Sequence, residues 1–171
     1  MCPQSVKRKS WTPEQALASL MRLCARAEKS SSDALRLMSG RGLSEADREK
    51  VLRKLVDERF IDDSRYAEAF VREKSSLDGW GEYKIRAALQ RKGIDRETVD
   101  AALASADRGH SLKMLRQRLA RKLRTVRAAS DYELKNKLIR YGLSLGFDMD
   151  TVRSEVGLIV KNSDEECDFF L

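Results

Sequence analysis

Apolar residues recur along this chain at the spacing of amphipathic helices, and short capping signals cut the pattern into successive segments. Leu17, Leu20, Met21, Cys24 and Ala27 fall on one helical face. Thr12-Pro13-Glu14-Gln15 opens that helix: Thr12 caps it, Pro13 suits its first turn, and Gln15 completes a capping box. Ser30-Ser31-Ser32-Asp33 ends it and caps a second helix, which runs to Gly40 or Gly42. Ser44-Glu45-Ala46-Asp47 caps a third, bearing Val51, Leu52, Leu55 and Val56.

The same order then returns. Asp62 or Asp63 begins a helix with Tyr66, Ala67, Phe70 and Val71, and Gly79-Trp80-Gly81 interrupts it. A helix with Ile85, Ala88 and Leu89 ends at Gly93, a residue suited to a left-handed terminator. Asp95 caps the next, which bears Val99, Ala102 and Leu103. After Gly109 comes a long helix over 111–127. Ser130-Asp131-Tyr132-Glu133 reads as a second capping box, whose helix bears Leu134, Leu138 and Tyr141 and stops at Gly142. Asp148 opens the last helix, with Val152, Val156 and Ile159. No segment shows the period-two alternation of a strand.

Aligning Gly42, Gly93 and Gly142, which lie 51 and 49 residues apart, exposes an internal repeat. Ala34, Ile85 and Leu134 stand eight residues before each glycine; Met38, Leu89 and Leu138 stand four before; Leu43, Ile94 and Leu143 follow. The expected fold is all-α, with three tandem three-helix repeats forming an elongated, curved helical array. The divisions are a flexible N-terminus at 1–10, repeat 1 at 11–60, repeat 2 at 61–107, a basic repeat 3 at 108–161, and an acidic tail at 162–171.

Composition fits thin cores with charged faces. Charged residues make up 36% of the chain and aromatic residues only 6%. The net charge of +7 is local in origin. Residues 32–107 carry fifteen Lys or Arg against sixteen Asp or Glu, whereas 108–147 carry eleven against two. Residues 148–171 reverse the sign, with two against seven. A local excess of this size implies a polyanionic partner. Cys2, Cys24 and Cys167 have no paired spacing, and Cys24 reads as a small buried side chain on a helix. With no apparent signal peptide or membrane span, a cytoplasmic setting without a membrane partner is expected.

Candidate chemistry is sparse. His110, the only histidine, sits beside Gly109 with no cysteine or catalytic partner near it in sequence. Metal-ligand spacings, a Walker sequence and a complete dinucleotide fingerprint are all missing. Asp57, Glu58, Asp62 and Asp63 cluster, but Asp62 and Asp63 stand where a helix start favours negative charge, with Arg59 and Arg65 close by. The expectation is a binding protein with no catalytic residues, no metal and no cofactor.

The basic helix is the informative feature. Wound at about 100° per residue, Leu112, Leu115, Leu119, Leu123 and Val126 fall within roughly 80° of arc. Lys113, Arg116, Arg118, Arg121, Lys122, Arg124 and Arg127 fill the remainder, and Lys135, Lys137 and Arg140 follow on the next helix. No acid relieves this repulsion between Arg108 and Arg127, which points to contact with phosphates or an acidic surface. Arginine outnumbers lysine there, as suits forked contacts to phosphate.

Two runs then suggest a family. Leu55-Val56-Asp57-Glu58-Arg59-Phe60-Ile61-Asp62-Asp63-Ser64-Arg65-Tyr66-Ala67, followed by Gly79-Trp80-Gly81, Lys84-Ile85-Arg86, Leu89 and Lys92-Gly93-Ile94, resembles the RecX family of regulators of the bacterial recombinase RecA. The likeness extends more weakly over about residues 15–160. It implies a tandem three-helix fold that binds the helical groove of the RecA–DNA filament and damps recombination, ATP hydrolysis and coprotease activity. It implies architectural roles for the motif residues Phe60, Ile61, Asp62, Tyr66, Ala67, Trp80 and Gly93, with Phe60, Ile61, Tyr66 and Ala67 locking one repeat onto the next. It supplies no catalytic residues. Charge and position alone add Arg72, Lys74, Lys84, Arg86, Arg91 and Lys92 to the basic helices as candidate contacts. The expected partners are the RecA filament and single- and double-stranded DNA, met through phosphates by a monomeric protein. An autonomous sequence-specific duplex binder, a nucleic-acid enzyme and a pure scaffold are the rival classes. A specific duplex site, a metal or nucleophile cluster, and salt-insensitive behaviour would mark them respectively.

Overall fold

Capping side chains set nearly every helix start in the computed structural model, which describes residues 10–167, with side chains as far as Lys161. Thr12 and Gln15 form a reciprocal box that opens α1 (Pro13–Cys24). Ser30 accepts the Asp33 N–H to start α2 (Ser31–Ser39), and Ser44 accepts that of Asp47 to start α3 (Glu45–Asp57). Asp62 caps α4 (Asp63–Ser76), while Gly81 precedes α5 (Glu82–Arg91) with no side-chain cap. Asp95 caps α6 (Arg96–Ala104), Asp107 caps α7 (Arg108–Leu123), and Ser130 caps α8 (Asp131–Ser144). Asp148 accepts the Thr151 N–H at 2.8 Å ahead of α9 (Met149–Cys167).

Three apolar cores follow one another, one per repeat. Ala16, Leu20, Ala34, Met38, Val51, Leu55 and Ile61 build the first. Tyr66, Ala67, Val71, Ile85, Leu89, Val99 and Ala102 build the second. Leu115, Leu119, Leu138, Phe147, Val152, Val156 and Val160 build the third. The chain is therefore a tandem array of three-helix units. The motif around residue 60 straddles a boundary: Ile61 and the half-buried Phe60 close the first core, and Tyr66 and Ala67 open the second. Trp80 packs on the second core, edge-on to Phe70, with the Lys84 ammonium 4.6 Å and the Lys74 ammonium 5.4 Å from its ring centre.

Each joint docks the start of a second helix onto the glycine turn of the following repeat. At the first joint the Ser31 N–H donates to Asp63 at 2.8 Å, Ser32 lies against Gly93, and Lys92 pairs with Asp33 at 2.9 Å. At the second joint the contact is backbone on backbone. The N–H groups of Gly81 and Tyr83 donate to the carbonyls of Leu145 and Gly146, at 2.8 and 3.0 Å. These bonds replace the side-chain cap that α5 lacks. A Cβ on Gly81 would stand 2.3 Å from the Gly146 oxygen, so neither chain has room for a side chain there.

Several sequence expectations need correction. The third repeat does not stop at Gly142. That residue lies buried inside α8, and the left-handed turn is made by Gly146, with φ of 92°. Gly42, Gly93 and Gly146 are the equivalent stops, 51 and 53 residues apart, and the caps Ser44, Asp95 and Asp148 each follow two residues later. Gly142 is small because α9 crosses there: an added Cβ would meet Val152 Cγ1 at 2.6 Å. The helix expected over 111–127 begins earlier and ends at Leu123, with Val126 beyond it. Thr125 turns its hydroxyl back to the Lys122 carbonyl at 3.0 Å, competing with helix continuation. The box at Ser130 is half formed, because Glu133 accepts the Ala129 N–H and not that of Ser130. Ala27 lies exposed beyond α1, while Ala16 is buried in its place. The acidic segment set at 162–171 begins inside α9, which continues to Cys167. Residues 1–9 of the flexible N-terminus, and 168–171, lie outside the described residues.

The two glycines in the last two helices give opposite expectations. Gly142→Ala should destabilise the protein by about 1–3 kcal/mol through overpacking against Val152. Gly157, with nothing within 4 Å of an added Cβ, should stabilise α9 by about 0.5–1 kcal/mol on change to Ala. Urea unfolding followed by circular dichroism measures both; equal shifts of one sign would contradict the crossing at Gly142.

Candidate functional site

The basic surface is built on α7 and α8, and its geometry divides the cations into two groups. Leu115 and Leu119 point α7 into the third core, with Leu112 and Leu123 beside them. Directly opposite that stripe, Lys113, Gln117 and Arg121 form an i, i+4, i+8 row with Arg124 alongside, all exposed. Lys113, Arg121 and Arg124 have no acidic partner among the described residues. Arg127 is exposed in the following loop, where its carbonyl accepts from Lys137 at 2.6 Å, so the loop is tied to α8.

The cations flanking the stripe are used internally. Arg116 forks onto Glu155, a buried carboxylate of α9, at 2.5 and 2.8 Å. That hydrogen bond, with the charge behind it, raises the guanidinium pKa above its usual value. Arg118 donates to the Asp78 carbonyl at 2.8 Å, reaching across to repeat 2. Its Nε lies 3.2 Å from where a Gly79 side chain would begin. Lys122 sits over the Tyr141 ring at 5.6 Å. On α8, Lys135 pairs with Asp131 at 3.5 Å and Lys137 with Glu133 at 2.7 Å. The Lys137 hydrogen bond, helped by that from the Ala129 N–H, lowers the Glu133 pKa. Arg140 stays exposed, bonded to the Asn136 carbonyl of its own helix at 3.4 Å.

Most candidates in repeat 2 are likewise engaged. Lys74 bridges Asp78 and Glu73 at 2.8 and 2.9 Å, and those hydrogen bonds raise its pKa. Arg86 joins Asp100 and Glu82, again with a raised pKa. Burial works against the charge on Lys92, but hydrogen bonds to Asp33 and Tyr66 prevail and hold its pKa high. Lys84 lies over Trp80 and reaches the Ser144 carbonyl at 3.4 Å. Arg91 bonds its own helix at the Ala87 carbonyl, and it and Arg72 remain exposed without an acid partner among the described residues. The structure thus separates the sixteen candidates: Lys113, Arg121, Arg124, Arg127 and Arg140 gather at α7 and α8, while Arg72 and Arg91 stand apart on α4 and α5.

The sequence reading passed over Arg153, exposed on α9, and Tyr132, which is 79% exposed on α8. The available signal for Tyr132 was an aromatic outside the apolar stripe of its helix. A cleft of about 570 Å³ opens between repeats 2 and 3 beside Trp80, Tyr83, Leu112 and Phe147. Glu82, Arg86, Arg108 and Asp148 are its charged lining residues, of which Glu82 and Arg86 are bonded to each other. Among the described residues, no group of three His, Cys, Asp or Glu is placed to hold a metal, and no helix is long and apolar enough to cross a membrane.

Comparison with known proteins fits this architecture. Family models described as RecX, second three-helix domain, and RecX, third three-helix domain, match residues 62–103 and 111–154. A regulatory protein RecX from Mycobacterium sp. (strain KMS) is 31% identical over 151 residues, spanning 84% of this chain and 82% of the relative. The chain belongs to the RecX family. Regulatory protein RecX from Neisseria meningitidis serogroup C / serotype 2a is also 31% identical, over 83% of this chain and 90% of that one. The crystal structure of RecX from Lactobacillus salivarius superposes with a TM-score of 0.72 at 20% identity, covering 86% of this chain and 96% of that one. This second likeness establishes the shared helical fold.

The division of cations on α7 has a direct check. Arg116→Gln leaves Glu155 buried without its partner and should lower the melting temperature while leaving polyanion affinity nearly unchanged. Arg121→Gln should do the reverse. Melting by circular dichroism and heparin or DNA binding by anisotropy measure the two effects; loss of binding without loss of stability in Arg116→Gln would contradict the assignment.

Proposed function

We propose that this RecX-family protein is a regulator that binds the RecA–DNA filament and mainly inhibits its recombination, ATPase and coprotease activities, without catalysis of its own. Its relatives carry the name regulatory protein RecX, and the resemblance of residues 55–94 extends that role toward RecA. The observation that carries the reading is the outward row Lys113, Arg121 and Arg124, continued by Arg127, with no acid paired to it among the described residues. Charges left unpaired on a folded surface repel one another, and a line of phosphates relieves that repulsion. A tandem array also presents several weak contacts along a polymer, and their effects sum through effective concentration. In this reading the protein works as a monomer in the cytoplasm, touching both recombinase and DNA.

Addition of the protein should reduce RecA ATP hydrolysis and strand exchange on single-stranded DNA. Changing Lys113, Arg121, Arg124 and Arg127 together to Gln should weaken both effects. For single-stranded DNA the log–log salt slope should flatten by about 0.7 per lost phosphate contact. Unaltered RecA activity over a concentration series of the unmodified protein would defeat the regulatory reading.

A further inference from the structure

We propose that Tyr132 is a base-stacking residue that gives the basic surface a preference for single-stranded over duplex nucleic acid. The proposal rests on the reading of that surface as a phosphate-binding face and adds a second kind of contact to it. At 79%, Tyr132 is the most exposed of the large apolar side chains in the described structure. It occupies the second position of α8, on the side opposite Leu134, Leu138 and Tyr141. Core packing therefore does not account for it.

Its neighbours suit a polynucleotide. Lys135, Asn136 and Arg140 share the outward side of α8, and Tyr132 to Arg140 spans about 12 Å of helix. The loop carrying Arg124 and Arg127 enters α8 just before Tyr132, held by the bonds from Lys137 to the Arg127 carbonyl and from Ala129 to Glu133. The two acids flanking Tyr132 are neutralised, Asp131 by Lys135 and Glu133 by Lys137. Phosphates can thus approach the ring without facing a free carboxylate. Tyr83, 64% exposed on α5, provides the contrast: it stands beside Glu82 in a repeat whose cations are mostly matched by acids.

A flat ring amid cations recognises unstacked bases. Stacking on an aromatic side chain is tolerant of sequence and is open to any base whose face is free. In a duplex the base faces are covered by their neighbours, leaving only the phosphates for the arginines. Tyr132 would thus act on single strands alone, while Arg121 and Arg124 would act on both forms.

Fluorescence anisotropy with a labelled oligothymidine, an abasic strand of equal length and a duplex separates these contributions. Tyr132→Ala should weaken oligothymidine binding about tenfold and leave the abasic strand, the duplex and the salt slope unchanged. Tyr132→Phe should retain binding, because it keeps the ring. Unchanged oligothymidine affinity in Tyr132→Ala, or equal loss on all three probes, overturns the proposal. Arg121→Gln and Arg124→Gln distinguish the two failures. If they weaken every probe while Tyr132→Ala weakens none, stacking is wrong and the phosphate reading stands; if they too have no effect, both are wrong.

Discussion

The second and third repeats meet through two stretches of main chain that allow no side chain between them. Gly81 and Tyr83 donate to Leu145 and Gly146, and the approach of Gly81 to Gly146 leaves no space for a Cβ. This contact caps α5 and places the α8–α9 turn at the same time. Because backbone groups make it, this contact does not depend on side-chain rotamers. The orientation of the basic surface relative to repeat 2 follows from it. Arg118, bound to the Asp78 carbonyl beside Gly79, reinforces the same joint with a side chain. The first joint repeats the plan with looser means, a carboxylate cap from Asp63 and the Lys92–Asp33 pair.

The sequence showed the helices because caps are local. Thr12, Ser30, Ser44, Asp62 and Asp95 each accept an N–H three residues ahead, so a short window of sequence contains the whole interaction. The third repeat was misaligned because two glycines four residues apart, Gly142 and Gly146, both fit the pattern. The approach of Val152 to Gly142 and of Lys84 to Gly146 separates a packing glycine from a turning one, and both contacts are made by tertiary packing, the second across 62 residues. The wheel of α7 located the buried stripe correctly from Leu115 and Leu119 but could not distinguish the flanking cations from the outer ones. Glu155 lies 39 residues from Arg116, and the Asp78 carbonyl 40 from Arg118.

That separation alters the physical meaning of the charge excess. Part of it is consumed inside the protein: Arg116 makes burial of Glu155 tolerable, and Arg118 joins two repeats. The remainder, Lys113, Arg121, Arg124 and Arg127, forms an outward line extending toward α8. A smaller set of cations in a fixed line suits a regular polyanion better than the whole basic run did. In repeat 2, by contrast, Lys74 and Arg86 pair with acids of the same repeat, and Lys92 pairs across the first joint with Asp33.

In the proposed function the outer side of α7, with the loop and first turns of α8, is the surface that faces the filament. Amide hydrogen exchange of the full chain, alone and bound to RecA-coated single-stranded DNA, tests it most directly. Added protection concentrated in 113–140 is expected, with little change in repeat 1. Protection confined to repeat 1, or none in 113–140 at saturating filament, would contradict it.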